Sequence, residues 1–165
     1  MTLQVLDAQR ELVVADMAAD AQRRRMVVKE IMDAVMSGSS GSIARHFAPG
    51  AVFSNKNNAA VIDAPWFDRM EGEYKLNGEE EAKSFLNELL RRATYISYKP
   101  RGTIVEGDDA ASRCDWTRQD ENGSLVTGTT MYWFGFTSDG RIRSIETIAS
   151  IHSVIAARRN DANVA

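Results

Sequence analysis

Cysteine is all but missing. Cys114 stands alone among 165 residues, which excludes an intramolecular disulfide and a multi-cysteine metal site. It sits in a run that alternates apolar and polar residues, so it reads as a buried strand thiol rather than a nucleophile. Histidine is scarce as well: His46 and His152 are far apart and share no motif spacing, so no metal is expected. There is no basic excess. Twenty Lys and Arg against 23 Asp and Glu give a net charge of -3 and a pI near 5.4, so nucleic acid is not an expected partner. The one dense basic run, Arg23-Arg24-Arg25, reads as a solvated helix face. No apolar run approaches the roughly 18 residues of a membrane span. Asp7, Arg10 and Glu11 interrupt any signal-peptide core at the start. A soluble, cytoplasmic protein without membrane contact is expected. Internal repeats and low-complexity stretches are also absent.

What is present fits one domain. Apolar residues make up 44% and charged residues 26%, values of a globular chain able to bury a core. Residues 3–37 lack Gly and Pro and are rich in Ala, Met, Arg and Glu, which predicts helix. Polar Gln22 to Arg25 are expected to divide it into an N-terminal arm (1–25) and a first core helix (26–36). Ser37-Gly38-Ser39-Ser40-Gly41 reads as a stop and a new start, followed by a short helix near 42–48 that ends at Pro49-Gly50. Ala51-Val52-Phe53 opens a strand. Residues 56–78 read as an irregular connection whose Trp66, Phe67 and Tyr74 suggest a lid or pocket wall.

A further helix, 79–92, has three acids in its first turn and Arg91-Arg92 in its last, matching the helix dipole. Strands are expected near 94–106, 110–119, 124–137 and 141–152. Turn signals at Glu106-Gly107-Asp108-Asp109, Asp120-Glu121-Asn122-Gly123 and Ser138-Asp139-Gly140 separate them. The class is α+β: helices covering one face of a curved antiparallel sheet, with the domain over 26–152 and a tail at 153–165. Strand 124–137 carries Tyr132, Phe134 and Phe136 on one face and Met131 and Trp133 on the other. Helices can cover only one face, so a homodimer through the second is expected.

Three stretches carry a family resemblance: Ile43-Ala44-Arg45-His46-Phe47-Ala48-Pro49-Gly50-Ala51-Val52-Phe53, Asn77-Gly78 before the 79–92 helix, and Phe134 to Ile142. In this order they resemble the nuclear-transport-factor-two-like superfamily, which includes limonene epoxide hydrolase, ketosteroid isomerase and the SnoaL-like polyketide cyclases. The likeness spans about residues 26 to 152 and implies a cone-shaped sheet enclosing a pocket. Arg113-Cys114-Asp115 is similar to the epoxide hydrolase Arg-x-Asp strand, and Asn55 sits where its water-orienting Asn lies. Residues i and i+2 of a strand share a face, so Arg113 could keep Asp115 ionised while Asn55 holds a water.

Two positions depart from that pattern. Phe53 stands where a water-holding Tyr is expected, and Thr147 where a second Asp would serve as acid. Glu146, adjacent, faces the other way on a regular strand. Against the isomerase pattern, Asn55 replaces the base, Tyr132 replaces the oxyanion-hole acid, and the helix tyrosine falls near Ile31 or Met32.

The resemblance therefore implies a cofactor-independent enzyme of the cyclase or epoxide hydrolase kind, acting by general acid–base chemistry on a small apolar oxygen-bearing molecule. Asp115 would be the base, Arg113 its orienter and Asn55 the water or carbonyl partner, with Tyr132, Trp66, Phe53 and Thr147 lining the substrate site. Two other readings are open: a non-catalytic small-molecule-binding module, and a dimeric assembly subunit of the same fold.

Overall fold

A computed structural model describes residues 3–57, 72–91, 94–119 and 123–156. Helix α1 (Leu3–Ser37) is continuous, as the composition of 3–37 leads one to expect, and runs unbroken through Gln22 to Arg25. Arg24 fastens the helix to the sheet. Its guanidinium donates to the carbonyl of Gly107 and, at 2.6 Å, to Asp108, and it lies 5.9 Å over the Phe136 ring. N-terminal to this anchor, residues 10–19 are exposed on every side. The helix stops at Gly38, whose φ of 68° admits the left-handed turn. There the Ser39 amide reaches Ala34 O (2.9 Å) and the Gly38 amide reaches Val35 O (3.3 Å), satisfying carbonyls the helix leaves open.

Helix α2 is short (Ser40–Ala44). The expected helix to residue 48 is corrected, because strand β1 (Phe47–Asn57) already begins at Phe47. Strand β2 (Gly72–Leu76) lies inside the stretch read as irregular and pairs antiparallel with β1; the rest of that stretch, Trp66 included, falls outside the described residues. Helix α3 (Glu79–Arg91) opens on Gly78, whose carbonyl accepts the first helical bond from Ala82. The Glu81 carboxylate reaches back to the Asn77 amide at 2.9 Å.

Strands β3 (Thr94–Glu106), β4 (Asp109–Gln119), β5 (Leu125–Phe136) and β6 (Ile142–Ile155) form the meander read from the turn signals. Strand β6 extends past His152 into the stretch expected as tail. The six strands order as β2-β1-β6-β5-β4-β3. One pairing corrects the antiparallel expectation: β1 runs parallel to β6, so the sheet is mixed. No local turn joins those two strands, and turn chemistry is what reveals antiparallel neighbours. Register shifts in β3, β6 and at the start of β1 mark bulges, which bend the sheet.

All three helices pack on one face. Val28, Ile31 and Met32 of α1, Ile43 and Ala44 of α2, and Ala82 and Leu86 of α3 are buried with Phe53, Tyr98, Cys114, Trp116, Phe134, Phe136 and Ile145. Each such aliphatic or aromatic side chain contributes about 1.5–3 kcal/mol. Gly128 is dictated by this packing: a Cβ there would meet the Trp116 ring at 2.4 Å and the Ser150 carbonyl at 2.6 Å. The helix-covered side is called the inner face below, the other the outer face.

Candidate functional site

Strand alternation decides which polar groups meet the core. In β4, Ala110, Ser112, Cys114 and Trp116 are buried, which sends Arg113 and Asp115 to the outer face. The expectation that Arg113, Asp115 and Asn55 share one cavity is thereby corrected. Arg113 and Asp115 do meet. Arg113 donates to Asp115 Oδ1 from Nε (3.2 Å) and a terminal nitrogen (3.0 Å). Arg101 Nε donates to Oδ2 at 2.7 Å, and the Thr129 hydroxyl to Oδ1 at 2.9 Å. The Arg101 bond leads the effects that hold the Asp115 carboxyl down at about 2. Such a group is a saturated acceptor with weak proton affinity, a poor general base.

Asn55 lies on the inner face, where Thr147 Oγ1 donates to its Oδ1 at 2.7 Å. Thr147 is 4% exposed and stands in register with both Asn55 of β1 and Tyr132 of β5, so these three form a polar row across the sheet. Thr147, not Glu146, takes the inward position; Glu146 accepts from Lys56 at 2.8 Å. Phe53 is buried, its ring 5.1 Å from that of Phe85, and forms part of the wall.

Around Tyr132 the sequence reading missed several partners. The Tyr98 hydroxyl donates to the Tyr132 hydroxyl at 2.6 Å and has Met32 Sδ at 3.3 Å as a second acceptor. Trp116 Nε1 donates to Thr130 Oγ1 at 2.9 Å. Tyr95 stands edge-on to Tyr98, ring centroids 5.1 Å apart. Burial pushes the Tyr95, Tyr98 and Tyr132 phenols above their ordinary range, and it pushes the Cys114 thiol up to about 11. All four stay protonated near neutrality. They are hydrogen-bond donors and not bases. Among the described residues, the strands place one charged side chain on this face, Arg118, whose guanidinium lies 4.8 Å over the Trp116 ring. No group of three or more His, Cys, Asp or Glu suited to a metal occurs among the described residues.

The structure is a curved mixed sheet covered on one face by helices, and the model of the SnoaL-like domain matches residues 28–145. The chain belongs to the SnoaL-like family. Its solved structural neighbours lie in the wider nuclear-transport-factor-two-like superfamily. The epoxide hydrolase/cyclase-like enzyme SalBIII, of pyran ring formation in the polyether salinomycin, superposes with a TM-score of 0.60 at 16% identity, covering 82% of this chain and 97% of that one. A limonene-epoxide-hydrolase-like enzyme of M. tuberculosis gives 0.57 at 12% identity, covering 79% and 84%. A protein of unknown function from Burkholderia pseudomallei gives 0.59 at 16%, covering 76% and 88%. At such identities the likeness establishes the SnoaL-like fold alone, which serves enzymes and non-enzymes. No curated protein is significantly similar in sequence. No helix among the described residues is long and apolar enough to cross a membrane.

Proposed function

We propose that the inner face of this SnoaL-like domain binds a small, largely apolar molecule and holds one of its oxygens by neutral hydrogen bonding at Tyr132. The observation that carries this is the Tyr98–Tyr132 pair. Tyr98 spends its single proton on the Tyr132 oxygen, so the Tyr132 hydrogen is directed elsewhere, and a ligand oxygen is a suitable acceptor. The surrounding Phe53, Phe134, Trp116 and Tyr95 supply the apolar wall such a ligand needs. Binding fits this arrangement better than general acid–base turnover by Asp115, whose carboxylate is on the outer face and occupied by Arg101, Arg113 and Thr129.

The test uses two neutral probes of one shape, 2-acetonaphthone and 2-isopropylnaphthalene, followed by tryptophan fluorescence. The ketone should bind more tightly, Tyr132→Phe should erase its advantage, and Asp115→Asn should leave it unchanged. Equal affinity of both probes for the native chain would reject oxygen recognition.

A second reading concerns assembly, and the outer face favours it. Ile104 and Trp133 remain 75% and 42% exposed there, beside a groove of about 540 Å³. Glu106 and Asp109 lie toward one end of that face, Lys99, Arg101 and Arg113 toward the other. A two-fold axis lying across the strands sets the acidic end of one copy against the basic end of the next. This reading commits the face to a second copy of the chain and is compatible with ligand binding on the inner face.

A further inference from the structure

We infer that the N-terminal arm of α1 pairs antiparallel with the arm of a second copy of the chain, through a seam of Val13 and Met17 flanked by Arg10 against Asp20. This surface is separate from both sheet faces. Helix α1 runs unbroken from Leu3 to Ser37, and Arg24, tied to Gly107 and Asp108, marks where it leaves the sheet. Residues 10–19, beyond that anchor, are exposed, Val13 by 58% and Met17 by 65%. Their spacing follows the core. Met17 stands 14 residues before Ile31 and Val13 stands 21 before Ala34, whole heptads in both cases, and Ile31 and Ala34 are buried. The stripe that packs the domain thus continues in phase past its edge, where it is left in solvent among the described residues.

The charges select the occupant. In heptad terms Arg10 and Met17 take position a, and Val13 and Asp20 take position d. Two arms parallel and in register would set Arg10 on Arg10 and Asp20 on Asp20. Turned antiparallel about Ala15, Val13 of each arm faces Met17 of the other, and Arg10 of each faces Asp20 of the other. A pattern that complements itself under a two-fold rotation fits a second copy of the same chain. Asp20 already accepts from Arg23 on its own helix, and a carboxylate has room for a further donor. Val14 meets its own copy beside the axis and widens the apolar contact, while Asp16 meets Asp16 on the other flank and weakens it. With two apolar layers the pairing is weak, on the order of hundreds of micromolar.

Cysteine pairing on the full chain tests this. Val13→Cys and Met17→Cys variants are mixed at hundreds of micromolar, mildly oxidised and read on a non-reducing gel. Cys114 is buried, its thiol pushed up to about 11, and stays silent. The mixed disulfide should form about tenfold faster than either variant's own disulfide, since only the antiparallel register sets position 13 on position 17. It should keep forming when Trp133→Glu is added, because the arm does not use the outer face. Arg10→Asp in both chains, or Asp20→Arg in both, should slow it about tenfold, two like-charge layers replacing two opposite ones. Arg10→Asp in one chain with Asp20→Arg in the other should restore the rate. Faster self-pairing of Val13→Cys would mean parallel arms and overturn the inference. Equal rates for every combination, or no response to charge reversal, would reduce the contact to random collision and overturn it too.

Discussion

Removing the Tyr98 and Tyr132 hydroxyls singly and together tests the centre of the site. In Tyr132→Phe, the Tyr98 proton loses an oxygen acceptor at 2.6 Å and must fall back on Met32 Sδ at 3.3 Å, a weaker acceptor. In Tyr98→Phe, the Tyr132 oxygen loses its donor. Tyr98 is only 8% exposed, so water cannot readily replace the lost partner. Each single change should cost about 1–2 kcal/mol, the range for stranding a buried hydroxyl. Removing both hydroxyls strands neither, so the double variant should lose about 1 kcal/mol less than the sum of the two. Urea denaturation of the four proteins, followed by far-ultraviolet circular dichroism, gives the cycle directly. Effects that add to within about 0.3 kcal/mol would show that the two hydroxyls do not interact in solution, and the argument for Tyr132 as an oriented donor would fail.

Three further outcomes follow from the packing and the charges. Gly128→Ala should destabilise the fold by about 1–3 kcal/mol through overpacking, since the added methyl meets both the Trp116 ring and a backbone carbonyl; a denaturation midpoint equal to the native one would contradict the β5–β6 register. Asp115→Asn should lower stability at neutral pH, and the difference should shrink in acid. The folded carboxyl titrates at about 2 against an ordinary 3.8, so its contribution is present above about pH 4 and fades as pH falls toward 2; a gap constant over that window would refute the ion-pair account. Trp133→Glu should shift light-scattering mass from dimer to monomer at tens of micromolar while leaving inner-face binding intact, and a native chain that is already monomeric there would refute pairing through the outer face.

Much of the fold was legible because its signals are local. Turn residues at Gly107, Gly123 and Gly140 bounded the meander to within a residue or two, and the dipole-matched charges bounded α3 nearly as well. The helix over 3–37 was legible from its composition, but what anchors it to the sheet was not. Here Arg24 is tied to Gly107 and Asp108, 83 and 84 residues away in the chain. The parallel β1–β6 pair and the β1–β2 pair are long-range, with no turn to announce them. At the site, the decisive signal was present and outweighed by the Arg-x-Asp resemblance. Reading Cys114 as buried already fixes Arg113 and Asp115 on the opposite face, and fixes Trp116 and Arg118 on the same one. Tyr98 was hidden for a different reason. Bulges in β3 between Tyr95 and Ser97 and between Pro100 and Thr103 reset the alternation, so counting by twos along that strand misassigns the faces.

A crystal structure of the chain soaked with 2-acetonaphthone tests the central claim most directly. The account predicts the ketone on the inner face, its oxygen about 2.6–3.0 Å from the Tyr132 hydroxyl and its rings against Trp116 and Phe134. A ketone bound instead on the outer face beside Asp115, with the inner face filled by protein side chains alone, would contradict it.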